Sequence, residues 1–130
     1  MSSPAEDGND RLFLVELKEG VLTIVPLGDV DSLRWHEVEQ ASQGVFELLG
    51  QEPGARVLVD MSKVRYCGSA LLAVMVRVWK SVSPRGGILA FCNVGTELAS
   101  VLSHTRLDTL WSIYPSREAA YAALRDHLVR

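Results

Sequence analysis

Short apolar runs alternate with polar segments that contain glycine or proline along most of the chain. The first two runs, residues 12–17 and 21–25, are separated by Lys18-Glu19-Gly20. Gly20 can adopt the positive φ that a tight hairpin turn demands. Pro26 has no N–H to donate, so the second strand should end there or leave that position unpaired. The pattern therefore predicts an N-terminal β-hairpin.

A helix is predicted to follow the hairpin. Residues 28–32 read Gly-Asp-Val-Asp-Ser, and this loop has the chemistry of a helix start. Asp31 or Ser32 can accept hydrogen bonds from the first N–H groups of a helix that runs to about Leu49. Gly50 and the Pro-Gly pair at 53–54 mark its end.

From Arg56 onward, strand patterns alternate with helix patterns over short connections. Strands are predicted at 56–61, 88–92 and 110–114. Helices are predicted from about Ser69 to Val82, from residue 96 through Leu102, and from Arg117 to about Val129, the last capped by Ser116. Such alternation implies parallel pairing with right-handed crossovers. The predicted fold class is α/β: a mixed, mostly parallel sheet of about five strands with an N-terminal hairpin, flanked by about four helices.

The length of the chain suits one domain. It has 130 residues and a mass of 14.3 kDa, enough to bury one core without disulfides or metals. Residues 1–10 are small and polar, which predicts a disordered N-terminal tail ahead of a single domain at 11–130.

Charge and cysteine content narrow the function classes. The net charge is -3, and the Lys and Arg residues are scattered, whereas nucleic-acid binding needs a basic stripe. The longest apolar run, around 70–76, is too short to cross a bilayer, and the N-terminus does not resemble a signal peptide. Two cysteines are too few to staple a secreted scaffold. We therefore expect a cytoplasmic protein with no nucleic-acid partner and no direct membrane insertion.

The helix that begins near Ser69 is unusually apolar. At 100° per residue one stripe should face the core, formed by Leu71, Val74, Met75, Val78 and Val82. A second stripe, Leu72, Val76 and Trp79, lies beside it and widens the apolar arc to roughly 200°, against the ~100° that a surface helix needs. Either a neighbouring element covers this second stripe, or it is a partner-binding surface anchored by Trp79.

Three loops should meet at the carboxyl ends of the parallel strands, where ligands and partners bind in open α/β sheets. The first contains Asp29 and Asp31, the second is Tyr66-Cys67-Gly68-Ser69, and the third begins at Asn93. We therefore predict the functional site at this edge, with the second loop at its centre.

Most other chemistry is unsupported by the sequence. It contains neither of the glycine-rich phosphate-binding motifs, and Ser69 lacks the flanking glycines of a hydrolase nucleophile. His36, His104 and His127 are too far apart for metal-ligand spacing. Asp29 and Asp31 are more typical of helix capping than of cation binding. No cofactor, metal or catalytic residue is predicted.

Cys67 supports an alternative function of a different class, a thiol-dependent enzyme or a redox sensor. A cysteine just before a helix N-terminus can have a lowered pKa and act as a nucleophile or redox sensor. The arginine that cysteine phosphatases place six positions later is absent, since Ala73 and Leu98 occupy those positions after Cys67 and Cys92. A buried structural cysteine is the competing interpretation.

Several segments together resemble one family. Residues 60–66 (Asp-Met-Ser-Lys-Val-Arg-Tyr) and 68–72 (Gly-Ser-Ala-Leu-Leu) resemble the central motif of STAS domains, whose best-known soluble members are bacterial anti-sigma-factor antagonists. The segments at 27–31, at 85–94 and at 107–111 are similar to further family motifs. The resemblance extends from Leu12 to Leu128.

This resemblance implies a non-enzymatic partner-switching protein. Family members bind a kinase-type anti-sigma factor, and phosphorylation of a serine in an Asp-Ser-Ser-Gly loop breaks that complex. Carried over by position, the phosphoacceptor is Ser69, within a switch loop formed by Tyr66, Cys67, Gly68 and Ala70. The partner-binding candidates are Asp29, Asp31, Leu72, Val76, Trp79 and Asn93.

This chain departs from the family motif at three positions. Gly68 replaces the Asp, Ala70 the second Ser and Leu71 the Gly. An interpretation from the residues alone makes Ser69 the N-cap of its helix. STAS-like proteins also serve as accessory subunits of lipid-transport ATPases or as unphosphorylated parts of signalling assemblies, and these alternatives stay open, as does a homodimer.

Overall fold

The computed structural model describes residues 12–27, 36, 40, 43, 44, 46, 47, 55–64 and 68–129. Within them the chain forms one five-stranded sheet. Its strands are β1 (Phe13–Lys18), β2 (Val21–Pro26), β3 (Arg56–Asp60), β4 (Ile88–Cys92) and β5 (Ser112–Tyr114). The helices with described bounds are α1 (Ser69–Val82), α2 (Thr96–His104) and α3 (Arg117–Val129).

The N-terminal hairpin is present as predicted. Glu19 and Gly20 have φ values of 56° and 80°, and β1 and β2 pair from Lys18↔Val21 outward. Positive φ at both central residues is the geometry of a type I′ turn, whose twist matches that of the flanking strands. β2 ends at Pro26, although the Leu27 N–H still donates to the Leu12 carbonyl at 2.8 Å, so the proline is accommodated at a position where no N–H is needed for pairing with β1.

The sheet is mixed and mostly parallel, which confirms the predicted fold class. Its strand order is β1-β2-β3-β4-β5, with β1 antiparallel to β2 and all later pairs parallel. Because β3, β4 and β5 are parallel, their carboxyl ends lie at one edge of the sheet. The loops that leave β3 and β4 at that edge lead into α1 and α2.

Each face of the sheet has its own core. Alternate strand residues point to opposite faces. Val57, Val59, Leu89 and Phe91 pack with the buried residues of α1 and α2 on one face. On the other face, α3 packs on the intervening positions, and this second core consists of Val21, Leu58, Ala90, Cys92, Ala120, Tyr121 and Leu124.

Helix α1 has the predicted bounds, and the predicted core stripe is buried together with Ala70. Pro84 lies in a 3₁₀ turn that ends the helix, and Gly86 closes that turn with a φ of 81°. Gly87 makes a close approach at the same point, since a Cβ added there would lie 2.6 Å from the Ala55 carbonyl oxygen. A side chain at position 87 would therefore collide with backbone.

Several predicted boundaries differ from the structure. β1 is Phe13–Lys18 rather than 12–17, β2 extends to Pro26 rather than 25, and β3 ends at Asp60 rather than at 61. β5 begins at Ser112 rather than at Leu110, because Leu107–Thr109 forms a 3₁₀ turn and the Trp111 N–H donates to the Leu107 carbonyl. Trp111 is buried and stacks on Phe91 with a centroid separation of 4.8 Å, so this apolar residue serves packing rather than strand pairing. α2 continues past Leu102 to His104.

The predicted helix from about Asp31 to Leu49 lies largely outside the described residues. The described positions within it are helical: His36, Gln40, Gln43, Gly44, Phe46 and Glu47. Residues 1–10, predicted as a tail, lie wholly outside the described part of the chain.

Candidate functional site

The candidate site lies at the carboxyl ends of β3 and β4. Pairing between these strands extends one step beyond β3, because the Met61 N–H donates to the Cys92 carbonyl at 3.0 Å. The loops that follow these two parallel strands lead to α1 and α2, which pack on the same face, so both loops begin side by side at this edge of the sheet. Four predicted site residues, Asp29, Asp31, Tyr66 and Cys67, lie outside the described residues.

Ser69 is the first residue of α1 and is exposed. The interpretation of Ser69 as N-cap is wrong, because Gly68 holds the cap position with φ −84° and ψ −179°. The Leu72 N–H donates to the Gly68 carbonyl at 3.1 Å, so Ser69 is already inside the first helical turn.

The first turn of α1 suits a negative charge. It carries no acidic residue, so a phosphate on Ser69 would meet no repulsion from that turn. The positive end of the helix dipole and the first N–H groups of a helix both favour anions. Gly68 and Ala70 on either side are buried, which leaves Ser69 as the accessible group of this short stretch.

Asp60 is the hub of a polar network beside this site. Its Oδ1 accepts hydrogen bonds from the Ser62 N–H and from Asn93 Nδ2, both at 3.0 Å. Its Oδ2 accepts from Arg117 Nε at 2.6 Å. Asp60 ends β3, Asn93 follows β4, and Arg117 begins α3, so one carboxylate joins three segments that are distant in sequence.

The carboxyl of Asp60 is 6% exposed and is held in its charged form. Burial alone raises the pKa of this group, but hydrogen bonds from Asn93, Arg117 and Ser62 outweigh it, and the pKa of Asp60 falls below its usual value. The same ion pair raises the pKa of Arg117. Asp60 is therefore an anion at neutral pH, with donors on both of its oxygens.

Asn93 is engaged within the molecule. It adopts a left-handed conformation with φ 58°, which asparagine tolerates better than most residues. Its side-chain amide donates to Asp60 and lies 3.7 Å from the Cys92 sulfur. The residue predicted from sequence as a partner contact therefore also orients the loop from β4 to α2.

The second apolar stripe of α1 is partly covered. Leu72, Val76 and Trp79 are all half-buried and pack against the core on that face of the sheet. Beside them, the guanidinium of Arg77 lies 4.6 Å from the centre of the Phe46 ring. The stripe thus contributes to the core while it retains exposed apolar surface.

Cys92 does not suit nucleophilic chemistry. It is fully buried in the sheet, and burial together with the nearby Asp60 charge raises the pKa of its thiol to about 12. Across the described residues, no group of three or more His, Cys, Asp or Glu side chains is placed to hold a metal ion. None of the helices in that part of the chain has the length and apolar character that a bilayer crossing requires.

Sequence reasoning missed Asp60 and Arg117 as site residues. Asp60 does carry a signal, because it is a charged residue at the end of an otherwise apolar strand pattern. Arg117 carries none, since an arginine in the first turn of a polar-faced helix is ordinary. Only the tertiary fold brings it to a carboxylate 57 positions earlier in the chain.

The sequence matches the family model of the STAS domain over residues 12–120. This chain belongs to the STAS domain family. The expected resemblance is thereby confirmed, and the polar network and Ser69 lie within the matched region. No curated protein sequence matches the chain.

Solved structures with the same fold include several bacterial STAS proteins. A candidate anti-sigma-factor antagonist from Thermotoga maritima is 24% identical with a TM-score of 0.75, covering 89% of this chain and 97% of its own. An anti-sigma-factor antagonist (STAS) domain protein from Planctomyces limnophilus is 25% identical with a TM-score of 0.75, covering 85% and 95%. SpoIIAA of Bacillus, solved in its phosphorylated form, is 16% identical with a TM-score of 0.67, covering 86% and 98%.

Proposed function

We propose that this chain is a non-enzymatic interaction module of a bacterial partner-switching pathway. In this proposal it binds a serine-kinase-type anti-sigma factor through α1 and the adjoining loops, in the cytoplasm. Phosphorylation of Ser69 then breaks the complex. The family membership and the similarity to anti-sigma-factor antagonists support this class of function.

The observation that carries the proposal is the position of Ser69. It is exposed at the N-terminus of α1, the most apolar of the three helices with described bounds. The resemblance of residues 60–72 to the family motif assigns it the position of the family's phosphoacceptor. A phosphate adds a charge of roughly -1.5 to -2 at neutral pH. Such a charge is compatible with the helix start but would oppose an apolar or acidic partner surface docked on α1, so one modification can change the interface without refolding the domain.

The apolar stripe Leu72, Val76 and Trp79 supplies the contact area in this proposal. Aromatic residues with an apolar surround are the usual anchors of protein interfaces. The three residues follow Ser69 by roughly one, two and three turns along α1. A partner lying along the helix would therefore meet both the anchor and the modification site.

The test uses the kinase-type anti-sigma factor encoded nearest to this gene. Incubation with ATP followed by mass spectrometry should find one phosphate, on Ser69, and Ser69→Ala should abolish it. Calorimetry should show binding by the unmodified chain and at least a tenfold weaker Kd for Ser69→Asp. Phosphate on another residue, or equal affinity of Ser69→Asp and wild type, would contradict the switch.

Trp79→Ala tests the contact surface in the same assay. Loss of a buried aromatic anchor costs about 2 kcal/mol or more of binding, which is some 30-fold in Kd. Val101→Ala is the matched control, because Val101 is an exposed apolar residue on α2. Circular dichroism must show that the Trp79 variant is folded; an unfolded variant assigns Trp79 to the core instead.

One observation favours a second candidate function, an accessory STAS subunit that does not switch. Gly68 and Ala70 replace the polar residues of the family's loop, and both are buried. The loop thus lacks the carboxylate and the hydroxyl that flank the serine in switching members. Affinity purification of the tagged chain from its native cell distinguishes the two, since an accessory subunit should co-purify with transport or signalling components and carry no phosphate.

A further inference from the structure

The polar network around Asp60 crosses the sheet. Asp60 and α3 lie on one face, where Leu58 and Ala90 pack against α3. The loops that Asp60 holds lead to α1 and α2 on the opposite face. A contact made by α3 therefore reaches the beginning of the loops that carry the candidate site, although α3 itself packs on the other side.

Three hydrogen bonds connect Arg117 to the two loops through the Asp60 carboxylate. Arg117 fixes Oδ2 of Asp60 through its Nε, at 2.6 Å. The other oxygen, Oδ1, is then aimed at the Ser62 N–H in the loop toward α1 and at Asn93 Nδ2 in the loop toward α2. Because a carboxylate is planar and rigid, fixing one oxygen fixes the direction of the other. Rotation of the Asp60 carboxylate would break both loop contacts together.

We infer that Arg117 is a positioning residue, which sets the loops preceding α1 and α2 relative to each other through the Asp60 carboxylate. The affected segments are Met61–Val64 and Asn93–Gly95. Arg117 itself need not touch a partner. The inference extends the proposed function, on which it rests, because these loops lead to Ser69 and contain Asn93.

The alternative is that Arg117 forms only a stabilising ion pair. Its second acidic contact, to Glu16 at 3.4 Å, is of that kind, since both side chains are about one-third exposed or more. Exposed pairs contribute little. The contact to Asp60 differs, because the carboxyl is nearly buried and its other oxygen is shared by two loops. A positioning role predicts a local effect on those loops, whereas an ion pair predicts an effect on overall stability.

The test needs no partner, so its result is independent of whether an anti-sigma factor binds. Amide hydrogen exchange and ¹⁵N NMR would be measured on the full chain at pH 7 for wild type and Arg117→Gln. We expect shifts of the Ser62 amide and the Asn93 side-chain amide, and about tenfold faster exchange in Met61–Val64 and Asn93–Gly95. The core amides of α1 should accelerate clearly less than the amides of these two segments.

Two variants make the result specific. Arg125→Gln removes the same charge from the same helix and breaks the ion pair with Glu19, and it should leave both loops unchanged. Arg117→Lys keeps a cationic donor and should restore the Ser62 and Asn93 signals in part. Unchanged loops in Arg117→Gln, equal effects in Arg125→Gln, or faster exchange spread uniformly over the chain would each overturn the inference.

Discussion

The two faces of the sheet are stabilised by different kinds of interaction. The face under α1 and α2 is covered by buried apolar side chains, which include Leu71 in α1 and Trp111 before β5. The face under α3 combines a smaller apolar core with polar contacts that include Thr23–Tyr121 and Asp60–Arg117. Apolar contact is tolerant of direction, whereas hydrogen bonds fix it. The apolar contacts of the first face therefore supply most of the stability. The hydrogen bonds of the second face fix the position of α3 relative to β2 and β3.

The largest expected effect comes from the apolar face. Leu71→Ala should lower the free energy of unfolding by about 2–5 kcal/mol, because Leu71 is fully buried and its removal leaves a cavity. Leu17→Ala is the control: Leu17 is 75% exposed on β1, and its loss should change stability by less than about 0.5 kcal/mol. Urea denaturation measures both. Similar losses in the two variants would contradict the assignment of the core.

An intermediate and pH-dependent effect is expected from Asp60. The pKa of Asp60 is lowered on folding, so its contribution to stability is complete above its usual value of 3.8 and is lost as pH falls through the folded-state value. Asp60→Asn should cost about 2 kcal/mol at pH 7, as expected for hydrogen bonds to a charged group. The difference in the free energy of unfolding between wild type and Asp60→Asn should stay constant down to about pH 4 and narrow only below 3.8.

Asp108→Asn is the matched control for this experiment, since Asp108 is an exposed carboxylate in a surface turn. Its stability curve should follow that of wild type at every pH. A gap between wild type and Asp60→Asn that persists undiminished into acid would mean that the charge of Asp60 is not what matters.

The smallest expected effect tests a single hydrogen bond. Tyr121→Phe removes the hydroxyl that lies 2.7 Å from Thr23 Oγ1 and should cost about 1 kcal/mol, because Thr23 is fully buried. The ring remains, including its contact with the Lys18 ammonium, so the variant isolates the hydroxyl. Adding Thr23→Val should recover part of the lost stability, measured as the midpoint of thermal unfolding. A further loss would mean that the Thr23 hydroxyl has another hydrogen-bond partner besides Tyr121.

The local pattern of the sequence predicted most of the fold. Helix α1, strand β4 and helix α3 have the predicted bounds, and Ser116 Oγ accepts from the Ala119 N–H as an N-cap should. These features depend on neighbours within one or two turns, which periodicity and capping chemistry report directly. The start of β5 was wrong, since an apolar residue can serve packing or pairing and the pattern does not distinguish them.

The candidate site was predictable only in part. Family resemblance indicated Ser69 as the candidate phosphoacceptor, and the parallel topology predicted that the loops after β3 and β4 begin at the same edge of the sheet. The hub at Asp60 depends on Arg117, which is remote in sequence, and the cap at Gly68 depends on a backbone conformation that glycine and serine can both adopt. Contacts of that kind are products of tertiary structure, so a single sequence does not reveal them.

Gly87 has a consequence for how α1 can be recognised. At the end of α1 remote from Ser69, the Gly87 N–H donates to the Val82 carbonyl at 2.7 Å, and position 87 touches the backbone of Ala55 too closely for any side chain. Any side chain at position 87 would therefore displace the C-terminal end of α1 from the backbone at Ala55, and with it the helix surface that a partner lying along α1 would meet.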